Sequence, residues 1–323
     1  MKAYIKHISS YLPLKKVSND DFFNRFPYLK SKQNIFLKTG VHNRYVVEPE
    51  DTSSDLSYHA ANNFFSEFIF DITELDALIF CSTEFDYYTP ITAAILQDRL
   101  GLSNHVATFD LVSSCTGFVH GITFSKGLIE ANGYRNVLLL CASSSTKTFH
   151  EKDANSHYLF GDAATAILIG GRREEGVGKI TIGTDGSRKD YIIVKDGGGR
   201  NKLTPESYKE IENEFGNSTA RANFFMNGTG IFLFGLKTVP TLVEQILSEN
   251  KINKDEIDYF VFHQANAFLL KTLQKKLNIP DEKFIIFMEN TGNTVAASIP
   301  LALQHLFYQK KIQKGSKILI AAF

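Results

Sequence analysis

The sequence predicts an α/β protein made of two similarly folded halves, and three observations lead to this prediction. The chain has 323 residues, which is about twice the length of a common single domain. Short apolar segments typical of buried strands alternate with stretches of helical character. Segments of the first half also return in the same order in the second half.

The composition is that of an ordinary globular protein, with 43% apolar and 22% charged residues. Thirty-five basic residues balance 35 acidic ones, so no overall field attracts nucleic acid or an anionic membrane. We find no unbroken apolar run of about 18 residues and no signal peptide. We therefore expect a cytoplasmic protein that binds neither nucleic acid nor membrane.

Seven segments have the composition of buried strands: 75–81, 106–112, 137–142, 164–169, 259–262, 284–288 and 317–322. Helical stretches between the strands include 57–68, 91–100 and 116–131. This alternation is typical of a largely parallel sheet covered by helices. The polar segment 195–223, with three successive glycines, is expected to be a solvated excursion, because no strand and lysine frame it as a phosphate-binding loop.

Three pairs of segments repeat at a spacing of about 180 residues: ELDALIF (74–80) with EIDYFVF (256–262), LQDRLGL (96–102) with LQKKLNI (273–279), and NVLLLCA (136–142) with KILIAAF (317–323). The repeat predicts halves at residues 1–171 and 172–323. In the first half a loop and a further strand follow segment 137–142. The repeat therefore predicts that a glycine-containing loop and an edge strand are missing after Phe323.

Three cysteines form neither a disulfide framework nor a C-x-x-C metal site. Cys81 and Cys141 lie inside apolar strands and are expected to be buried. Cys115 follows a strand across two serines and precedes a helix, whose N-terminus is expected to lower its pKa. Cys115 is therefore the candidate nucleophile.

The second half contains two candidate partners for this cysteine. His263 follows a buried strand, and Asn293 lies in a strand-to-helix turn that the repeat pairs roughly with Cys115. The pseudo-twofold relation of the halves is expected to bring these turns face to face. The remaining histidines lack the spacing of metal ligands, and His120 is expected to pack on its helix.

Seven motifs resemble those of the 3-oxoacyl-[acyl-carrier-protein] synthase III family of the thiolase superfamily: LKTGVHNRY (37–45), YTPITAAILQDRLGL (88–102), DLVSSCTGF (110–118), FGDAATAIL (160–168), MNGTGIF (226–232), HQAN (263–266) and NTGNTVAASIP (290–300). The resemblance implies a thiolase-like fold of two pseudo-symmetric halves in α-β-α-β-α layers. It also implies a homodimer without cofactor or metal.

The family mechanism implies that Cys115 is acylated by an acyl-CoA or by an acyl group on acyl carrier protein. Malonyl carrier protein then loses carbon dioxide while His263 and Asn293 donate hydrogen bonds to its thioester oxygen. The resulting carbanion attacks the acyl-cysteine in a decarboxylative Claisen condensation, as in fatty acid or polyketide synthesis. The backbone N–H of Cys115 and one from a C-terminal glycine-rich loop are implied to hold the oxyanion.

The resemblance also implies substrate contacts by Asn266 and Phe232. Thr89 stands where the family often has a bulky phenylalanine gating the acyl pocket, which favours a longer or branched acyl group. The tryptophan and arginine that clamp the adenine of coenzyme A are replaced by Asn34 and Ala154. This difference favours a carrier-bound acyl donor.

Docking of an acidic carrier protein requires basic residues. Lys271, Lys275 and Lys276 lie close to one face of the helix after HQAN and are the candidates. Phe268 and Leu233 stand where the family often has basic residues, so docking is expected to differ here.

Other functions within the superfamily stay open. Glu84 is similar in position to the acidic residue of hydroxymethylglutaryl synthases and head-to-head condensing enzymes, where it acts as a general base. The same acyl-cysteine is also compatible with transfer to an alcohol or amine without decarboxylation. A non-catalytic partner subunit is disfavoured, because the cysteine, histidine and asparagine are all present.

Overall fold

The structure is a computed structural model that describes residues 1–174, 176–212 and 217–323, with Ile35 described by its backbone alone. The first half contains β1 (Lys2–Tyr11), β2 (Lys15–Ser18), α1 (Asn19–Arg25), α2 (Gln33–Leu37), β3 (Asn43–Val46), α3 (Ser53–Glu67), β4 (Ala77–Cys81), α4 (Thr92–Arg99), β5 (Ala107–Leu111), α5 (Gly117–Asn132), β6 (Asn136–Ser143), α6 (Ala154–Leu159) and β7 (Ala163–Arg172). The second contains β8 (Ile192–Ile193), β9 (Ile211–Glu212), β10 (Ser218–Thr219), β11 (Phe225–Met226), α7 (Gly228–Asn250), β12 (Tyr259–Phe262), α8 (Ala267–Lys276), α9 (Ser298–Tyr308) and β13 (Ile318–Ala321).

The first half is organised around a five-stranded mixed sheet in the order β1-β7-β6-β4-β5. β4 pairs in parallel with both β5 and β6, whereas β7 is antiparallel to β6 and β1. Every residue of β4 and β6 is buried, as expected for strands covered on both faces. Helix α3 begins at Ser53, four residues before the predicted start, because Thr52 and Asp55 form a capping box.

The second half repeats the central strand pairing of the first. β12 pairs in parallel with β13, as β4 does with β6. An aspartate before the first strand of each pair makes the same hydrogen bond. An Asp76 carboxylate oxygen accepts the N–H of Asn136 at 2.9 Å, and an Asp258 carboxylate oxygen accepts that of Lys317 at 2.7 Å. The predicted pseudo-symmetry is therefore visible in individual hydrogen bonds. The division at residues 171 and 172 stays a prediction.

The predicted strand at 284–288 is wrong, because the structure contains only an isolated bridge between Phe260 and Phe284 there. The reason is the buried side chain of Gln264. Its amide oxygen accepts the N–H of Phe287 at 2.7 Å, and its amide nitrogen donates to the carbonyl of Ile285 at 3.2 Å. One side chain thus occupies backbone groups that would otherwise pair with a strand.

The two halves share one hydrophobic core. A single cluster joins residues of the first sheet, including Ile79 and Leu139, to Val261 of β12 and Ile299 of α9. Cys81 and Cys141 belong to this cluster and are fully buried, which confirms the prediction for both. The second half is therefore held against the first sheet by apolar contact over its inner face.

By length and composition alone, α7 is long and apolar enough to cross a membrane; within the described parts of the chain it is the one helix that meets this test. Lys237 and Pro240 interrupt the apolar sequence within this continuous helix, so it contains no unbroken apolar run of about 18 residues. Core helices of soluble proteins meet the same criterion, so it is weak evidence.

The segment 195–223 forms only short elements where the structure describes it. Residues 213–216 of this segment lie outside the described residues.

Candidate active site

Cys115 lies in the turn between β5 and α5. Gly117, the first residue of α5, is required there, since a Cβ atom would lie 2.6 Å from the Cys81 Sγ and 3.1 Å from the Ala296 Cβ. This close approach places the start of α5 directly against the second half. The cysteine turn and the 294–297 segment therefore form one joint surface.

The surroundings of Cys115 are apolar. Its half-buried side chain packs against a cluster that includes Phe149, Phe160 and Val295. Burial raises the pKa of the thiol to about 11, with a further contribution from the negative charge of Glu84, while the Ser114 hydroxyl at 3.7 Å opposes the shift. The expected lowering of this pKa at the helix N-terminus is therefore wrong, because desolvation of the thiolate dominates. The resting group is a thiol.

His263 follows β12 and is buried with a 1% exposed fraction. Its backbone N–H donates to the carbonyl of Ala321 at 2.8 Å, which continues the β12–β13 pairing. The ring Nδ1 lies 2.8 Å from the Ser298 hydroxyl, and burial lowers the pKa of the imidazole to about 4. The side chain is therefore neutral at physiological pH.

Asn293 is fixed by bonds to the first half. Its backbone N–H donates to the carbonyl of Leu159 at 2.9 Å, and its carbonyl accepts the N–H of Gly161 at 3.1 Å. The side-chain oxygen accepts the N–H of Val295 at 3.0 Å. Val295 has a φ of +51°, a left-handed conformation that a β-branched residue rarely adopts. The turn is thus strained and held by its surroundings.

Two contacts connect the three predicted residues. Cys115 packs in the cluster that contains Val295, two residues after Asn293. The Asn293 amide nitrogen donates a long hydrogen bond, 3.4 Å, to the carbonyl of Ala265, two residues after His263. The structure therefore connects the Cys115 turn to the Asn293 turn, and the Asn293 turn to the segment after His263. Cys115 is half-buried, and His263 and Asn293 are buried.

A carboxylate also faces this site. Glu84 follows β4 and is held by the hydroxyls of Ser82 at 3.1 Å and Ser145 at 3.2 Å, and by the N–H of Ser144 at 3.3 Å. Its charge acts on Cys115 and helps to raise the pKa of that thiol. Glu84 is thus an acidic group beside the predicted nucleophile.

Sequence reasoning did not single out Asp162, whose carboxyl group is fully buried and is affected by the charge of Glu84. Its carboxyl accepts the N–H groups of Val47 at 2.9 Å and Thr146 at 3.2 Å. Burial raises its pKa to about 7, and Glu84 contributes to the shift. An aspartate directly before a continuous apolar strand was the available signal.

The three predicted substrate-binding residues lie in different elements of the fold. Thr89 is exposed in a loop, next to Pro90. The Asn266 side-chain oxygen caps α8 by accepting the N–H of Leu269 at 2.8 Å. Phe232 stacks on Phe268 with ring centroids 5.4 Å apart.

The three predicted docking lysines are exposed on α8. Lys276 donates to the carbonyl of Leu236 at 2.8 Å. Lys271 and Lys275 form no recorded ion pair with any described residue. Their ammonium groups are therefore available to a partner.

Two family models match the chain. The 3-oxoacyl-[acyl-carrier-protein (ACP)] synthase III model matches residues 109–186, and the corresponding C-terminal model matches residues 247–323. The beta-ketoacyl-[acyl-carrier-protein] synthase III of Clostridium acetobutylicum is 32% identical over 97% of this chain and 92% of its own length. That of Clostridioides difficile is 32% identical over 100% of this chain and 94% of its own length.

Solved structures agree with these matches. A 3-oxoacyl-(acyl-carrier-protein) synthase III structure is 34% identical, with a TM-score of 0.97 over 100% of this chain and 96% of its own. A 3-oxoacyl-(acyl-carrier protein) synthase from Burkholderia xenovorans is 29% identical, with a TM-score of 0.91 over 100% of this chain and 90% of its own. These similarities confirm the thiolase-like fold predicted from the sequence.

Proposed function

Since the chain belongs to the 3-oxoacyl-[acyl-carrier-protein] synthase III family of condensing enzymes, we propose that Cys115 carries the acyl group during its reaction. The Cys115 sulfur attacks the carbonyl of an acyl thioester, the bond to the donor sulfur breaks, and the thiol proton leaves with the donor thiol. The apolar surroundings of Cys115 favour this assignment, because they exclude the water that would hydrolyse the acyl-enzyme.

In the second step, a malonyl thioester binds with its carbonyl oxygen near His263 and Asn293. The carbon–carboxylate bond breaks, carbon dioxide leaves, and the electron pair forms an enolate stabilised by hydrogen bonds from both side chains. The enolate carbon then attacks the acyl carbonyl, the bond from that carbonyl to the Cys115 sulfur breaks, and the released thiolate takes up a proton from solvent to restore the thiol. The observation that supports this proposal is that the turns carrying Cys115, Asn293 and His263 are linked in sequence by contacts at the junction of the halves.

Mass spectrometry of the intact protein tests the nucleophile. After incubation with acyl-CoA and acyl-carrier-protein donors, the wild-type mass is expected to increase by one acyl group, and Cys115→Ala is expected to stay unmodified. Cys141→Ala is the matched control, because Cys141 is a buried cysteine of the same sheet. An adduct that persists in Cys115→Ala would exclude this function for Cys115.

The preferred donor is proposed to be bound to a carrier protein rather than to coenzyme A. Ala154 is buried at the start of α6 and Asn34 is exposed, so neither can form an aromatic and cationic clamp around adenine. No resident cofactor or metal is required by the proposed steps. The reaction is proposed to occur in the cytoplasm, on fatty acid or polyketide precursors.

Carrier protein is proposed to dock on a surface formed by Leu233, Phe268, Lys271, Lys275 and Lys276, called here the α7–α8 patch. Leu233 and Phe268 are 60% and 54% exposed, and the lysines beside them carry positive charge. An acidic partner is therefore attracted by charge and held partly by apolar contact. Phe268→Ala and Lys271→Ala are both expected to weaken carrier binding, and added salt is expected to reduce the effect of the lysine substitution alone.

A homodimer is proposed to form at the edge of the first sheet. β5 pairs with β4 on one side only, and Tyr87, Tyr88 and Val112 near it are 64%, 75% and 71% exposed. An unpaired edge strand with apolar neighbours is the kind of surface that a second copy covers. Thr89 lies in this region, where it could contribute to the acyl pocket of the other copy. A monomeric mass in light scattering would contradict the proposal.

A second candidate function uses the Glu84 carboxylate. Beside Cys115, this group could remove a proton from an acceptor carbon, alcohol or amine, so that the acyl group is transferred without decarboxylation. Carbon dioxide release distinguishes the two functions. Release that equals product formation and persists in Glu84→Gln supports the decarboxylative reaction, whereas product without carbon dioxide supports the second candidate.

A further inference from the structure

The hydrogen bonds around His263 decide which of its ring nitrogens carries the proton. Burial keeps the imidazole neutral, so one nitrogen is a donor and the other an acceptor. Nδ1 lies 2.8 Å from the Ser298 hydroxyl, whereas no described residue is recorded as a hydrogen-bond partner of Nε2. The role of Nδ1 therefore depends on the direction of its bond to Ser298.

Ser298 is the first residue of α9 and is buried, with an exposed fraction of 2%. Its oxygen accepts the backbone N–H of Gln264 at 3.4 Å. Among the described residues, the only acceptor recorded within reach of the hydroxyl proton is the His263 Nδ1. If Nδ1 were the donor, this buried proton would have no acceptor, which is unfavourable.

From this geometry we infer that Ser298 is a positioning residue that donates to Nδ1 and so places the His263 proton on Nε2. Nε2–H is then a donor with no hydrogen-bond partner among the described residues, and the ring that carries it is fixed at its opposite nitrogen. Under the proposed function, on which this inference rests for its catalytic meaning, that N–H is the group that binds the malonyl thioester oxygen.

The elements that meet at this bond also explain its rigidity. The Gln264 amide nitrogen donates to the carbonyls of Phe262 at 2.6 Å and Ile285 at 3.2 Å, which fixes the backbone after His263. The Phe323 ring contacts the imidazole edge-on, with centroids 5.9 Å apart. Burial accounts for the lowered pKa of His263, and no ion pair with a described residue fixes the ring, so the tautomer depends on the hydrogen bond to Ser298.

Nitrogen NMR of the resting protein tests the inference without any substrate. In protein labelled at its histidine nitrogens, the His263 signals are identified by their loss in His263→Gln. Wild type is expected to show Nδ1 as an acceptor nitrogen and Nε2 as a protonated one. In Ser298→Ala both tautomers are expected, and Ser298→Thr is expected to restore the wild-type pattern. A protonated Nδ1 in wild type would overturn the inference, even if Ser298→Ala fails to fold.

Kinetics separates positioning from simple structural support. Ser298→Ala is expected to reduce carbon dioxide release from malonyl carrier protein by about 10- to 100-fold, by analogy with the loss found when a partner that orients a metal-binding imidazole is removed. Acylation of Cys115 is expected to be unchanged, and Ser298→Thr is expected to recover most of the decarboxylation. Equal loss of both steps would contradict a role through His263. Absence of carbon dioxide release in wild type would reject the proposed function and leave the NMR result valid.

Discussion

The two halves of this protein share a folding pattern but differ in how they are held together. The first half has seven paired strands, five of them in one sheet, whereas the described second half pairs its six strands two by two, with one further bridge between Phe260 and Phe284. The second half compensates with the Gln264 side chain and with a core that it shares with the first sheet. The His263 and Asn293 turns therefore depend on the first half for their position, whereas the Cys115 turn follows β5 of a five-stranded sheet.

The largest expected effect comes from breaking the junction of the halves. A Cβ atom on Gly161 would lie 2.2 Å from the carbonyl oxygen of Thr291, which neither backbone can avoid. Gly161→Ala is expected to lower the free energy of unfolding by about 4 kcal/mol or more, the range of severe steric substitutions. Denaturant unfolding measures this change.

Gly127→Ala is the matched control for that substitution. Gly127 lies inside α5, and nothing lies within 4 Å of its Cβ position. Because alanine is the better helix former, this variant is expected to gain about 0.5 to 1 kcal/mol. A Gly161→Ala variant as stable as wild type would show that the halves do not depend on this junction.

Two buried groups, one in each half, are expected to give opposite pH dependences. His263 titrates near 6.5 when unfolded and at about 4 when folded, so the unfolded chain binds more protons between these values. The His263 contribution to the free energy of unfolding therefore rises from pH 4 to 6.5, by about 3 kcal/mol. Asp162 has an unfolded pKa near 3.8 and a folded pKa of about 7, so the folded protein binds more protons and its contribution falls with rising pH.

The free energies of unfolding of wild type, His263→Gln and Asp162→Asn, measured between pH 4 and 7, test these opposite pH dependences. Relative to wild type, His263→Gln is expected to lose stability as the pH rises, and Asp162→Asn is expected to gain it. Parallel curves for wild type and either variant would show that the corresponding group is not shifted by burial.

The smallest expected difference in the free energy of unfolding is between substitutions of the equivalent aspartates that precede β4 and β12. Asp76 accepts the N–H groups of Arg135 at 2.6 Å and Asn136 at 2.9 Å, whereas Asp258 accepts that of Lys317 alone. Asp76→Ala is expected to cost about 2 kcal/mol and Asp258→Ala about 1 kcal/mol, in proportion to the charge-assisted bonds lost. Equal costs would contradict the difference in anchoring between the halves.

Sequence patterns predicted the repeated halves and the buried Cys81 and Cys141, and they singled out Cys115, His263 and Asn293, whose turns are connected through Val295 and Ala265. These features follow from local apolar patterns and from short motifs. The false strand at 284–288 has a correct apolar pattern, but its backbone partner is a side chain distant in sequence. The predicted direction of the Cys115 pKa shift was wrong for a similar reason. Burial of the thiol by Phe149, Phe160 and Val295 arises only when the halves are assembled.

Under the proposed function, the first half holds the acyl group and the second half activates the malonyl thioester. A single reaction of His263→Ala, in which both the acyl group on the protein and carbon dioxide release from malonyl carrier protein are followed, separates these two roles. His105→Ala, which alters an exposed histidine, is the control. We expect full acylation of Cys115 with decarboxylation reduced by at least about 100-fold. Decarboxylation at the wild-type rate, or loss of acylation, would contradict the division of the two steps between the halves.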